Sequence, residues 1–81
     1  MSRSSMPHPR ISSDPAVMFG KPVIRDTRIT VEHVLRKMAG GMSETDIIGD
    51  HSRLTVEDLR AAMAFAADYL ADETIVFAEP A

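Results

Sequence analysis

The stretch GKPVIRDTRITVEHVL, from Gly20 to Leu35, predicts a β-hairpin that runs directly into an amphipathic helix. The pair Asp26-Thr27 is the predicted two-residue loop, although Asp-Thr is a weaker hairpin signal than Asp-Gly. On this register Ile24 faces Ile29, and the apolar pair lies on one face of the hairpin. The chain just before it, from Arg10 to Ser13, is predicted to be extended.

Two arginines, Arg25 and Arg28, lie opposite each other on the outer face of the predicted hairpin. Like charges placed across a strand pair repel each other, so this arrangement needs a compensating partner. Either each arginine pairs with a nearby acid such as Asp26 or Glu32, or both are held for an anionic partner outside the chain. The two interpretations are equally compatible with the sequence.

Three helices are predicted after the hairpin, and they begin in the same way. Thr30, Ser43 and Thr55 are N-cap residue types, and each is flanked by apolar residues at the spacing of a hydrophobic staple. The first helix ends at the pair Gly40-Gly41. The predicted ranges of the second and third helices are about 43–49 and 55–71. Earlier in the chain, the sequence DPAVMFG predicts a helical turn with an Asp cap and a Gly stop.

The third helix carries apolar residues on two sides. One stripe is predicted to face the core and consists of Val56, Leu59, Met63, Ala66 and Leu70. The second stripe is predicted to contact another chain, most simply in a homodimer, and consists of Ala62, Phe65 and Tyr69. The alternative is a wide core face padded with alanine.

Length and charge restrict the possible functions. The 81 residues suffice for one small domain, which is predicted to span 11–71 between a disordered segment, 1–10, and a tail, 72–81. The net charge is −3, but residues 1–40 carry +4 and residues 41–81 carry −7, which suggests two surfaces with different partners. The chain has no cysteine, no signal-like apolar segment and no run long enough to span a membrane, so we expect a cytoplasmic protein.

Catalytic residues are not predicted. His8, His33 and His51 are not at metal-ligand spacing, and the adjacent pair Asp50-His51 is typical of a surface turn. The acidic residues of the second half suit helix caps and solvated helix faces. We therefore expect no enzyme activity, no cofactor and no metal.

The second and third predicted helices have the outline of a helix-turn-helix, whose second helix can enter a DNA major groove. The predicted DNA contacts are Lys21, Arg25, Arg28, Arg53 and Arg60. The acids Glu57 and Asp58 at the start of the third helix would face phosphate unfavourably. The same three-helix shape also serves as a purely structural core.

The chain resembles the family called domain of unknown function 433 from about Ile11 to Ala67. The motifs that carry the resemblance are Ser13-Asp14-Pro15, Gly20-Lys21-Pro22, Thr27-Arg28-Ile29, Gly41-Met42-Ser43 with Ile47, and Leu54-Thr55 with Asp58, Leu59, Ala61 and Ala62. The chain departs from the family pattern at the hairpin loop, where Asp26 replaces a glycine.

The resemblance implies a mainly α fold of the homeodomain-like, winged-helix type, in which a β-hairpin precedes a three-helix bundle with a short C-terminal strand or tail. It also implies an antitoxin that neutralises a PIN-like ribonuclease toxin and that can bind operator DNA. A DNA-binding repressor and an interaction module without a nucleic-acid role are the alternatives. The tail residues Ile75, Val76 and Phe77 are expected to contact the toxin, or else to pack on the chain's own third helix.

Overall fold

The computed structural model describes residues 8–72, which form three helices and a two-stranded antiparallel sheet. The predicted fold of a hairpin followed by three helices is confirmed. The elements in chain order are β1 (Ile11–Ser12), a 3-10 turn (Met18–Gly20), β2 (Val23–Ile24), α1 (Val31–Ala39), α2 (Glu44–Asp50) and α3 (Val56–Ala71). Within residues 8–72, no helix combines the length and apolar composition that crossing a bilayer requires. The predicted tail lies outside these residues from position 73 onwards.

All three helices begin at the predicted caps. The hydroxyl of Thr30 accepts a hydrogen bond from the backbone N–H three residues later, and Ser43 does the same. Thr55 and Asp58 form a complete capping box at the start of α3. Each such cap stabilises a helix by about 1 kcal/mol, so the three caps fix where the helices start. Gly41, at a φ of 98°, ends α1 in the left-handed conformation that glycine adopts without strain.

The core lies where α1, α2 and α3 meet the sheet. Its buried residues are Ile24, Val31, Val34, Ile47, Leu54, Leu59 and Ala62. Two predictions about α3 are wrong. Met63 and Leu70, predicted to be in the core, are exposed, and Ala62, predicted to face another chain, is fully buried. The reason is geometric: α1 packs against the side of α3 that carries Ala62, and its nine residues are too few to cover all sixteen of α3.

The hairpin has the predicted register but a different loop. Val23 pairs with Thr30 in an isolated bridge, and the N–H of Ile24 donates to Ile29 O. The turn is closed by the N–H of Thr27, which donates to Ile24 O at 3.0 Å, so its central residues are 25 and 26 rather than 26 and 27. The Thr27 hydroxyl also donates to Ile24 O and accepts from the N–H of Ile29, which holds Thr27 inside the loop. Asp26 has a φ of 64°, in the left-handed region that favours glycine. The motif compared in the sequence analysis has glycine at this position.

The segment before the hairpin also differs from the prediction. β1 confirms the extended segment, and Ile11 pairs with Ile24 across the sheet. Residues 14–20, named here the Phe19 loop, are not a regular helical turn. Met18 and Phe19 both have left-handed backbone angles, with φ of 50° and 58°. This conformation is unfavourable by about 1–2 kcal/mol for a residue with a side chain, and two such residues in succession are uncommon.

Part of the N-terminal segment belongs to the fold, although residues 1–10 were predicted to be disordered. His8 lies 2.8 Å from the Asp68 carboxylate on α3, and its ring packs edge-on against Phe65. The Arg10 guanidinium donates to Asp58 at 3.1 Å. Residues 8–10 therefore belong to the ordered domain, and their side chains bind near both ends of α3.

Candidate functional site

The hairpin loop and the turn between α2 and α3 come together at one place. Arg53, in the turn between α2 and α3, donates from Nη2 to the backbone carbonyl oxygen of Asp26 at 2.9 Å. Arg25 and Arg28 flank that same carbonyl in the hairpin loop, and Arg25 donates to Pro9 O at 3.3 Å. We call Arg25, Arg28 and Arg53 the arginine turn. All three residues are exposed.

Within residues 8–72, no carboxylate neutralises the charge of the arginine turn. In the part of the chain that the structure describes, none of its three guanidinium groups forms an ion pair with a carboxylate, and neither does Arg60 on α3. The sequence interpretation in which Asp26 or Glu32 neutralises Arg25 and Arg28 is therefore not what is observed. Glu32 pairs with other cations instead.

Other cations are bound to acids, including one of the predicted DNA contacts. Lys21 lies 3.3 Å from Glu32, and Arg36 lies 2.9 Å from the other oxygen of the same carboxylate. The hydrogen bond from Arg36, and then that from Lys21, hold the pKa of Glu32 below its ordinary value of 4.5. Lys37 pairs with Asp50. The structure therefore separates Lys21 from the arginine turn.

A polar cleft of about 470 Å³ lies beside the arginine turn. Its lining residues are Pro9, Arg10, Arg25, Asp26 and Asp58. Asp58 is buried, and its two oxygens bind the N–H of Thr55 and the guanidinium of Arg10. One of the two acids predicted to repel phosphate at the start of α3 is therefore turned inward and paired. Sequence reasoning missed Arg10, because its partner is 48 residues away and no local pattern joins them.

A second feature is an apolar groove of about 560 Å³ between α1 and the C-terminal half of α3, here named the α1–α3 groove. Its lining residues are Pro22, Val31, Glu32, Leu35, Arg36, Ala39, Phe65, Ala66, Tyr69 and Leu70. Phe65 and Tyr69, which were predicted to bind a partner, line this groove with their rings stacked at 6.2 Å. Ala62 does not line the groove, because its side chain is fully buried in the core. The predicted contacts Ile75, Val76 and Phe77 lie outside the described residues.

Of the three histidines, His8 contacts the Asp68 carboxylate, whereas His33 and His51 contact each other. His33 and His51 pack edge to face with ring centroids 5.4 Å apart, and the buried Nε2 of His51 has no hydrogen-bond partner among the described residues. The Asp50 carboxylate contacts Lys37, so the predicted surface pair Asp50-His51 is not the observed pairing. Among residues 8–72, no group of three or more His, Asp or Glu side chains is placed to hold a metal ion.

Comparison with known proteins gives a family match and a structural match. Residues 11–66 match the model of a family described as protein of unknown function, DUF433. The crystal structure of a DUF433 member protein from Anabaena variabilis is similar, with a TM-score of 0.72 and 29% sequence identity over 76% of this chain. The match spans 61% of that protein's length. No curated protein matches the chain.

Proposed function

Since this chain belongs to the DUF433 family, we propose that it acts as the antitoxin of a toxin–antitoxin pair and neutralises a PIN-like ribonuclease. The proposed contact is the arginine turn, which enters the acidic site where such a nuclease holds its metal with carboxylates. The chain is then a binding protein, and its effect on RNA cleavage comes from blocking another protein's site.

The observation that carries this proposal is a set of three neighbouring guanidinium groups that form no ion pair with a carboxylate within residues 8–72. Guanidinium groups bind carboxylates through paired hydrogen bonds, and such charge-assisted bonds are about twice as strong as neutral ones. Arg53 and Arg25 are already held by backbone carbonyl oxygens, so less side-chain entropy is lost when they bind. Arg28 has no ion pair within residues 8–72, and it is the arginine that we expect to insert most deeply.

Co-expression of the chain with the proposed PIN-like ribonuclease tests the proposal. Growth arrested by the ribonuclease should recover with the wild-type chain, and should stay arrested with the double variant Arg25→Ala/Arg28→Ala. Arg60→Ala is the matched control, because Arg60 lies outside the arginine turn, is also exposed and also forms no ion pair within residues 8–72. Failure of the wild-type chain to restore growth contradicts the function. Full recovery with the double variant contradicts the contact.

A second candidate function, binding to operator DNA, is favoured by the position of the arginine turn. The hydrogen bond from Arg53 to Asp26 joins the turn of the helix-turn-helix to the hairpin loop, so both present cations on one surface. Asp58 is buried and paired with Arg10, so it does not repel phosphate at the start of α3. Glu57 remains exposed there. The two functions are compatible, since antitoxins in general can bind both a toxin and an operator.

Fluorescence anisotropy with the upstream promoter fragment separates the two candidate functions. If the chain binds DNA, the logarithm of the affinity falls with that of the salt concentration by about 0.9 for each phosphate contacted. Arg60→Ala should then weaken DNA binding, although it leaves toxin neutralisation unchanged. No binding at low salt contradicts the second function and leaves the first intact.

A further inference from the structure

Residues 8–10, here named the N-terminal strap, bind α3 at two places. His8 lies 2.8 Å from the Asp68 carboxylate towards the C-terminal end of α3, and Arg10 lies 3.1 Å from Asp58 at its N-terminal end. At 1.5 Å per residue, the two acids are about 15 Å apart along the helix axis. Side-chain contacts with α3 therefore help to fix the path of the strap.

The N-terminal strap supplies two hydrogen-bond acceptors to Arg25. The backbone N–H of Arg25 donates to Arg10 O at 2.7 Å. The guanidinium of Arg25 donates from Nη1 to Pro9 O at 3.3 Å. Both acceptors belong to residues that the ion pair between Arg10 and Asp58 holds against α3. The position of the Arg25 side chain therefore depends on an ion pair in which Arg25 itself takes no part.

The same ion pair compensates a charge that would repel Arg25. Because Ile11 pairs with Ile24 in the antiparallel sheet, Arg10 lies directly opposite Arg25. Like charges opposite each other across a strand pair repel. Asp58 binds Arg10, whereas no carboxylate within residues 8–72 binds Arg25. Asp58 therefore neutralises Arg10 and leaves the charge of Arg25 uncompensated within the described residues.

We propose that Arg10 and Asp58 are positioning residues for the arginine turn. Their ion pair holds the N-terminal strap so that Pro9 O orients the Arg25 guanidinium before a partner binds. A side chain that is already ordered loses less conformational freedom on binding, so the release of Arg25 should weaken partner binding by about threefold to tenfold. This effect on binding rests on the proposed function, whereas the order of Arg25 in the free chain does not.

NMR relaxation of the side-chain N–H groups in the free chain tests the positioning. The Nε–H of Arg25 should be more ordered than that of Arg28 in the wild type, and should become as mobile as that of Arg28 in Arg10→Ala. Asp58→Asn should have the same effect, because an amide oxygen can still accept the N–H of Thr55 and keep the helix cap, while the ion pair is lost. Unchanged order of Arg25 in both variants overturns the proposal.

Two further variants serve as controls for the relaxation measurement. Arg10→Lys keeps a cation beside Asp58 and should retain most of the order of Arg25. Arg36→Ala breaks the ion pair of another exposed arginine, on α1, and should leave Arg25 unchanged. Circular dichroism checks that each variant is folded. Equal loss of order in Arg36→Ala and in Arg10→Ala contradicts a specific role of the strap.

Titration of the chain into the proposed PIN-like ribonuclease tests the consequence for binding. Arg10→Ala should weaken binding by about threefold to tenfold, but should have no further effect in an Arg25→Ala background, since it acts through Arg25. It should keep its full effect in an Arg28→Ala background. Equal losses in the two backgrounds overturn the proposal. If the wild-type chain does not bind the ribonuclease, the proposed function fails, and the relaxation measurement alone decides whether Arg10 and Asp58 position Arg25.

Discussion

Replacement of the buried Asp58 by alanine should destabilise the fold more than replacement of any exposed charged residue near the candidate site. Its Oδ2 accepts the N–H of Thr55 at 3.0 Å, and loss of this half of the capping box costs about 1 kcal/mol. Its Oδ1 accepts the guanidinium of Arg10 at 3.1 Å. The Arg10 side chain is 50% exposed, so solvent screening limits that contribution to about 1 kcal/mol.

The two contributions predict a loss of about 2 kcal/mol for Asp58→Ala. In a domain of this size that lowers the melting temperature by roughly 8–16 °C. Urea denaturation of the wild type, Asp58→Ala, Arg10→Ala and the double variant measures the coupling between the two side chains, which should be about 1 kcal/mol. Glu57→Ala is the control, because the neighbouring acid is exposed and its loss should change stability by no more than about 0.5 kcal/mol. Additive effects in the cycle refute the inferred stabilising contact between Arg10 and Asp58.

Three further predictions concern other parts of the fold. Asp26→Gly should raise the free energy of unfolding by about 0.5–1 kcal/mol, and with it the urea midpoint, because glycine adopts the φ of 64° without strain. A lower urea midpoint contradicts this prediction. Arg36 and Lys21 lower the pKa of Glu32, so its ion pairs stabilise the fold above pH 4.5, and this stability is lost as the pH falls through the lowered pKa. Urea midpoints measured against pH should show that loss for the wild type and not for Glu32→Gln. Leu59→Ala removes a fully buried side chain and should cost about 2–5 kcal/mol, which calorimetry will detect as a large fall in melting temperature.

Local features of the fold were predictable from the sequence, and contacts between distant residues were not. The caps at Thr30, Ser43 and Thr55 depend on atoms within three residues, so the residue types alone predict them. The hairpin register follows from alternation over a few residues. The links from Arg10 to Asp58 and from Arg53 to the Asp26 carbonyl join residues 48 and 27 positions apart, and no periodicity indicates them.

The errors in α3 and in the Phe19 loop have different physical causes. Both sides of α3 are apolar, so the sequence does not show which side α1 will cover, and Ala62 was assigned to the wrong one. The sequence DPAVMFG has the residue types of a capped helical turn. The observed loop instead places Met18 and Phe19 in the left-handed region, a conformation for which their residue types have no preference. The α1–α3 groove could not be predicted either, because it depends on the relative lengths of two packed helices.

The most direct test of the proposed antitoxin is a calorimetric titration of the purified chain into the proposed PIN-like ribonuclease. We expect tight binding by the wild-type chain and by Arg60→Ala, with affinity reduced by about tenfold or more in Arg28→Ala, because that substitution removes a charge-assisted contact of at least 1.4 kcal/mol. A nuclease variant whose metal-binding carboxylates are changed to amides should bind the wild-type chain about as weakly as the unchanged nuclease binds Arg28→Ala. This nuclease variant should bind Arg28→Ala and the wild-type chain with equal affinity. Equal binding of all the variants, or no binding by the wild-type chain, contradicts the proposal that the arginine turn silences a ribonuclease.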